Sequence, residues 1–404
     1  MVATSVLEAG PSLASWARQT KRSELQRMLT LASGPGILSL ALGLPAPELF
    51  PLAEIERVAA SVLANETRAL QYGPPLQSLK THLVELMSQR GVECRESQVF
   101  LTTGAQQGLN ILSRLLLDTR AQMLTEELSY PGFRQAIEPY QPEVLTVPTD
   151  LETGMDVDEV EWLLTNGAKP AFIYVITEGH NPLAVSLSRE KRQRLVRLAR
   201  DFRVPLVEDD PYGLLEYEGK MEPSLRALEA DWVFYVGSFS KILAPALRVG
   251  WIIAPASLMP TLSIIKEASD IDTSTFGQRI VSGFIDAGHL PAHLEKLRAE
   301  YRSRRDSMLR ALNEHFPVQA SWRKPTGGVF TWVDLPKGLD VSELLRLSIE
   351  EERVAFIPSD AFALGINSRT HGIRLNFSHH APAVIEEGIA RIARILKETL
   401  RAGC

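Results

Sequence analysis

Between residues 99 and 254 the chain alternates short apolar runs with stretches of helical periodicity, a pattern that leaves few folds open. The strand-like runs fall at 99–103, 122–125, 171–176, 206–208, 232–237 and 249–254. Between them lie helical patterns, clearest over 188–200, where Ser188 can cap the first turn and Leu195, Leu198, Ala199 and Phe202 recur at helical spacing. Such an order predicts a largely parallel sheet covered by helices on both faces. With 404 residues and 45% hydrophobic content the chain can bury a large α/β core and a second, smaller domain. The texture changes near residue 291, to a long charged helix pattern through 312, a strand-like run over 326–333 and a last helix over 382–400. That stretch reads as a smaller α+β domain.

Within this frame Lys241 is the most informative residue. It lies in Gly237-Ser238-Phe239-Ser240-Lys241-Ile242-Leu243, with Arg248 downstream, so two hydroxyls and a guanidinium stand near an amine flanked by apolar residues. An amine beside a bound phosphate monoester and away from water is what a Schiff base with pyridoxal phosphate requires. Upstream, Asp209-Asp210-Pro211-Tyr212 closes an apolar run. A carboxylate there can pair with a pyridinium nitrogen and favour the electron-withdrawing ring, and Tyr212 can reach the ring's phenolate oxygen. Taken singly, the first segment is a surface lysine on a serine-rich turn and the second a common turn composition; together they point to one cofactor. A third segment, Thr102-Thr103-Gly104-Ala105-Gln106-Gln107-Gly108, passes from strand to helix, so the amides of Gly104, Ala105 and Gln106 would face an anion. It has neither P-loop nor dinucleotide spacing. With Ser238, Ser240 and Arg248 it supplies both walls of a phosphate site. Arg374, in Gly372-Ile373-Arg374-Leu375-Asn376-Phe377, alternates with apolar residues as on a strand, where an inward guanidinium needs a carboxylate partner or a salt bridge.

These segments, with Gly36-Ile37-Leu38-Ser39-Leu40, the run from Gly43-Leu44-Pro45 to Pro51, and Gln71-Tyr72-Gly73-Pro74, resemble the fold type I pyridoxal-phosphate enzymes, specifically the class I/II aminotransferases. The likeness runs from about Gly36 to the C-terminus and is strongest to the aminoadipate and kynurenine aminotransferase subgroup. It implies a large domain over 47–290 with a mostly parallel seven-stranded sheet between helices, and a small domain over 291–404. The arm over 1–46 would pack on the small domain and cross to a second subunit of a homodimer. It implies a cofactor joined to Lys241, with Asp209 and Tyr212 completing the catalytic set, Tyr130 stacking on the ring and Asn181 donating to the phenolate oxygen. Tyr72 would reach the phosphate held by the neighbouring subunit, and Arg374, Asn181 and Gly43 would line the substrate side, Arg374 holding the α-carboxylate. The implied reaction moves the amino group of an L-amino acid to a 2-oxo acid such as 2-oxoglutarate through pyridoxamine phosphate. The chain departs from the family at Leu128, where many relatives carry proline, and at Asn181-Pro182-Leu183-Ala184, where they read Asn-Pro-Thr-Gly. Without that glycine a positive φ is less accessible, and the proline can adopt a cis bond. The departure leaves a rival reaction on the same fold open: elimination, cyclisation or decarboxylation.

Other partners fit poorly. A net charge of −6 argues against a nucleic-acid surface. The longest apolar runs fall far below the ~20 residues of a membrane span, and the N-terminus lacks a secretory pattern. Cys94 and Cys404 have neither disulfide nor metal spacing, so a reducing cytoplasm is expected. A transcription regulator sharing these motifs would need an N-terminal winged helix, for which about 35 residues are too few. His289 and His293 have helical ligand spacing without a third ligand and read as surface residues, so no metal is expected. His379-His380 is expected in a loop after Arg374. Arg298, Arg302, Arg304 and Arg305, interspersed with acids, read as a solvated helix face. Arg22 or Arg27 could meet a distal substrate carboxylate, or be surface charges.

Overall fold

Strands apolar on both faces must be covered on both, and this requirement builds the centre of the molecule. The computed structural model describes residues 13–19, 34–219, 221–364 and 371–402. Seven strands form the main sheet: β1 (Val99–Thr102), β2 (Gln122–Glu126), β3 (Glu143–Val147), β4 (Ile173–Ile176), β5 (Leu206–Asp209), β6 (Val233–Ser238) and β7 (Gly250–Ile253). Their order is β1-β7-β6-β5-β4-β2-β3, and only β7 is antiparallel to its neighbours. Alternation along the strands divides the core. Met123, Tyr174, Ile176, Val207, Phe234 and Val236 pack with Leu109 and Leu112 of α1 (Ala105–Leu116). Leu124, Ile173, Val175, Leu206 and Val233 pack on the opposite face with Leu195, Leu198 and Ala199 of α2 (Arg189–Phe202). Ser188 caps α2 by accepting from the Lys191 N–H at 3.4 Å. Strand β3 has no counterpart among the apolar runs read from the sequence, because it is an edge strand with only Val147 buried.

Two further helices frame the C-terminal part: α3 (Met259–Asp270) lies on the main sheet, and α4 (His289–His315) follows. An antiparallel sheet of β8 (Ser321–Trp322), β9 (Phe330–Asp334), β10 (Ile357–Pro358) and β11 (Gly372–Asn376) runs in the order β8-β9-β11-β10, and α5 (Pro382–Ala402) packs along α4. The N-terminal residues join this unit: Leu38–Ser39 runs parallel to Val354–Ala355, and Asn376 N–H donates to the Leu40 carbonyl at 2.8 Å.

The basic residues of α4 correct the expectation of a uniformly solvated face. Arg305 is fully buried, donating to the Pro325 carbonyl and to Glu218, both at 2.6 Å, with its guanidinium over the Tyr217 ring. Arg304, 3% exposed, donates at 2.9 Å to both the Ser378 carbonyl and Glu48. Both share the helix stripe of Tyr301 and Met308, and interspersed acids in the sequence do not reveal which basic residues land there. His293 is likewise buried rather than on the surface, edge-on to Phe284, with burial lowering its pKa to about 4. Among the described residues no cluster of three or more His, Cys, Asp or Glu side chains could hold a metal, and no helix is long and apolar enough to cross a membrane.

Candidate active site

Six parallel strands end at one edge of the main sheet, and β7, running the other way, begins there. Open α/β sheets bind ligands at this edge. A cavity of about 320 Å³ opens at it, lined among others by Ala105, Gln106, Tyr130, Asn181, Asp209, Tyr212, Ser238, Ser240, Lys241, Arg248 and Arg374. Gly43 lines it too, from the N-terminal segment.

Strand pleat separates the two neighbouring aspartates. Asp209, last in β5, receives the Tyr174 hydroxyl at 2.6 Å on Oδ2 and leaves Oδ1 buried without a partner. Asp210 points away, to Arg90 at 3.0 Å and the Tyr235 hydroxyl at 2.9 Å. Each keeps one buried oxygen without a partner, but Asp210 faces a buried ion pair away from the cavity, whereas Asp209 lines it and has an acceptor to offer there. Burial raises the Asp209 pKa to about 7 against the opposing Tyr174 hydrogen bond.

Lys241 follows β6 and donates from Nζ to the Gly43 carbonyl at 2.6 Å. Burial first, then the positive charges of Arg374 and Arg248, lowers its pKa to about 8. Ser238 Oγ donates to Ser240 Oγ at 3.0 Å and accepts the Ser240 N–H at 3.1 Å, which shapes the turn before the lysine. Opposite them, Gly104 (φ +82°) opens α1, and a β-carbon there would stand 2.6 Å from the Arg248 guanidinium. The first-turn amides of α1, two hydroxyls and Arg248 thus surround one end of the cavity.

At the other end Arg374, on β11, is 5% exposed and has no carboxylate partner among the described residues. It donates to Asn181 Oδ1 at 2.6 Å and the Ala41 carbonyl at 2.7 Å, its Nε has no hydrogen-bond partner, and its guanidinium lies 4.0 Å from the Phe330 ring centroid. Burial lowers its pKa to about 10. Asn181-Pro182 is cis, and Ala184 takes φ +59°, so the altered motif keeps a left-handed turn without a glycine. Ala184 N–H and Leu183 N–H close this turn on the His180 carbonyl and Nδ1.

Two candidates are not among the residues that line this cavity: Gly104, whose backbone stands behind Arg248 at its edge, and Tyr72, which lies well away. Tyr72 is exposed and lines a separate surface recess with Asp272, Thr273, Ser274, Thr275 and Phe276. Arg22 and Arg27 lie outside the described residues. Sequence reading missed Tyr174, one strand from Asp209, and Phe330, which meets Arg374, Tyr212 and Gly43. Only their place on strands ending at the site could have marked them.

The family model described as "Aminotransferase class I and II" matches residues 40–392. The chain belongs to this family. As an aminotransferase of this class it uses pyridoxal phosphate to move amino groups between amino acids and 2-oxo acids, as the sequence reading expected. This aminotransferase is 36% identical over 390 residues to aromatic-amino-acid aminotransferase 1 of Thermococcus litoralis, covering 94% of this chain and 93% of that protein. Among solved structures, the Pyrococcus horikoshii kynurenine aminotransferase, in complex with PMP, kynurenine and its product, superposes with a TM-score of 0.91 at 34% identity over 96% of this chain and 97% of that one. The alpha-aminoadipate aminotransferase LysN of Thermus thermophilus, complexed with N-(5'-phosphopyridoxyl)-L-leucine, gives 0.90 at 34% identity over 96% and 98%. The cofactor suits the side chains of this aminotransferase: the unpartnered Asp209 Oδ1 can take a pyridinium N–H, and the cup at Gly104 and Arg248 has the donors a phosphate needs.

Proposed function

We propose that Lys241 anchors the cofactor and is the general base of transamination, carried by one observation: a half-buried lysine of lowered pKa shares a cavity with a carboxylate that keeps an unpartnered oxygen. Pyridoxal phosphate, when bound, condenses with amines and draws electrons from the substrate's alpha carbon. Asp209 would hold the ring nitrogen and Tyr130 would stack on the ring, while Tyr212 and Asn181 would donate to its phenolate oxygen. The amides of Gly104, Ala105 and Gln106, with Ser238, Ser240 and Arg248, would bind the phosphate. Arg374 would grip the substrate's α-carboxylate through two parallel hydrogen bonds, beside Asn181 and Gly43. That grip would turn the alpha proton toward Lys241 Nζ, which would take it from the alpha carbon and give it up to the cofactor carbon.

Because the neutral amine is the reactive form and the lysine pKa is lowered to about 8, the rate of cofactor capture by this chain is expected to rise with pH through about 8. A rate that climbs only near the ordinary value of 10.5 would overturn this assignment. The donors we propose are bulky amino acids of the kind the relatives' names record, aromatic amino acids or 2-aminoadipate, with 2-oxoglutarate as acceptor. Two measurements test the whole reading. Borohydride reduction of the holoprotein should leave a pyridoxyl group on the Lys241 peptide. A donor panel should give one equivalent of 2-oxo acid per site without acceptor and continuous turnover with it; continuous turnover without acceptor would sink the reading.

The proposed division is an arm over 1–46, a cofactor domain over 47–290 and a small domain over 291–404. Tyr72 supports a homodimer in which it completes the partner's phosphate site, since it is exposed in a surface recess that it shares with Leu70, also exposed. Tyr72→Phe mixed with Lys241→Ala chains should then recover activity in hybrid dimers; sedimentation as a monomer with full activity would end this proposal. The free Cys94 fits a reducing cytoplasmic setting.

A further inference from the structure

Lys266 has no part in the roles above, yet it is a nearly buried ammonium on α3, with 8% of its side chain exposed. It donates to Asp270 Oδ1 at 2.8 Å and to Gln107 Oε1 at 2.9 Å. Both acceptors also hold Thr103, whose hydroxyl donates to Asp270 Oδ2 at 2.6 Å and whose N–H donates to Gln107 Oε1 at 2.7 Å. The Thr103 carbonyl accepts from Arg248 Nη2 at 3.0 Å. Every polar group of Thr103 is therefore engaged, immediately before Gly104 opens α1 with its backbone against the Arg248 guanidinium.

The chain after Asp270 is held in an unfavourable shape. Ile271 has φ +66° and ψ −60°, in a γ-turn closed by Asp272 N–H to the Asp270 carbonyl at 2.7 Å, a conformation that β-branched residues avoid. Strained turns of this kind persist where neighbours fix the flanking residues, as Lys266 and Thr103 fix Asp270. Burial works against the Asp270 carboxylate, but hydrogen bonds from Lys266, Thr103 and Gln107 outweigh it and hold its pKa below the ordinary range.

We propose that Lys266 is a positioning residue that sets the affinity of this site for a phosphate monoester, acting through Asp270 and Gln107 on Thr103 without touching the ligand. The inference rests on the phosphate lying at the first turn of α1. Without the ammonium, Asp270 is a partly buried carboxylate with no counter-ion, and its natural escape toward water takes the Thr103 hydroxyl with it. The amides of Gly104, Ala105 and Gln106 then lose their common aim.

The test compares two ligands that differ only in the phosphate. The full chain and its Lys266→Met, Lys266→Gln and Arg248→Met variants are freed of cofactor and titrated with pyridoxal phosphate and with pyridoxal, following the absorbance of the bound form. Lys266→Met is expected to weaken pyridoxal phosphate by roughly tenfold or more while pyridoxal changes by less than about twofold. Lys266→Gln, which keeps a donor, should fall between, and it decides the matter where the methionine variant does not fold. Equal losses for both ligands, or no loss for pyridoxal phosphate, overturn the proposal. Arg248→Met reads the phosphate placement separately. If it leaves the ratio of the two affinities intact, the phosphate lies elsewhere; if it collapses the ratio and the Lys266 variants do not, the relay alone is wrong.

Discussion

Replacing Lys241 with alanine is expected to reduce kcat by at least about 10⁴-fold, because one side chain supplies two functions. A positioned general base contributes about 10²–10⁴-fold by itself, and loss of the covalent anchor comes on top. The fold should tolerate the change. Lys241 Nζ has one hydrogen bond, to the Gly43 carbonyl, and burial with two nearby guanidinium charges already disfavours its charged form. The comparison is therefore turnover against thermal unfolding, with borohydride-stable label as a third reading. A variant that keeps more than about a hundredth of the activity would remove Lys241 from the base role, since such a loss is smaller than the least effect a positioned base normally supplies.

Arg374 should show the second largest effect, with a different signature. Truncating one partner of a buried, hydrogen-bonded charge pair costs about 2–5 kcal/mol, which corresponds to roughly 30- to 4,000-fold in kcat/KM. The loss should fall mainly on KM for the amino donor, while affinity for the cofactor stays close to that of the parent. Arg374→Lys is expected to recover little, because a point charge cannot reproduce the planar fork. Arg374→Met also strips partners from Asn181 Oδ1 and the Ala41 carbonyl, so part of its effect is structural. Cofactor content separates the two parts. If Arg374→Lys matches the parent in KM, the fork is not what holds the carboxylate.

Much of this site is legible in the sequence, for a physical reason. Parallel strands carry their ligands at their ends, so Asp209, Ser238 and the Gly104 turn are marked by where apolar runs stop. Choosing Asp209 over Asp210 needs more, because only the fold places Arg90 and Tyr235 against Asp210 and turns Asp209 toward the cavity. Tyr174 and Phe330 were not legible as site residues, since on a strand a functional aromatic has the same pattern as a packing one. Arg304 and Arg305 misled for the converse reason: a basic residue buried by distant partners such as Glu48 and Glu218 has no local signal. Ala184 shows a limit of motif comparison, for the loss of a glycine did not change the backbone shape it usually supports.

The short N-terminal stretch around residues 41–43 has a mechanical implication. Its Ala41 carbonyl engages Arg374 and its Gly43 carbonyl engages Lys241, two residues apart on one extended piece of backbone. If Arg374 holds the substrate's acid group and Lys241 the cofactor, as proposed, each would exchange a contact with this one stretch of backbone for a ligand, so what binds at one end of the stretch would be felt at the other.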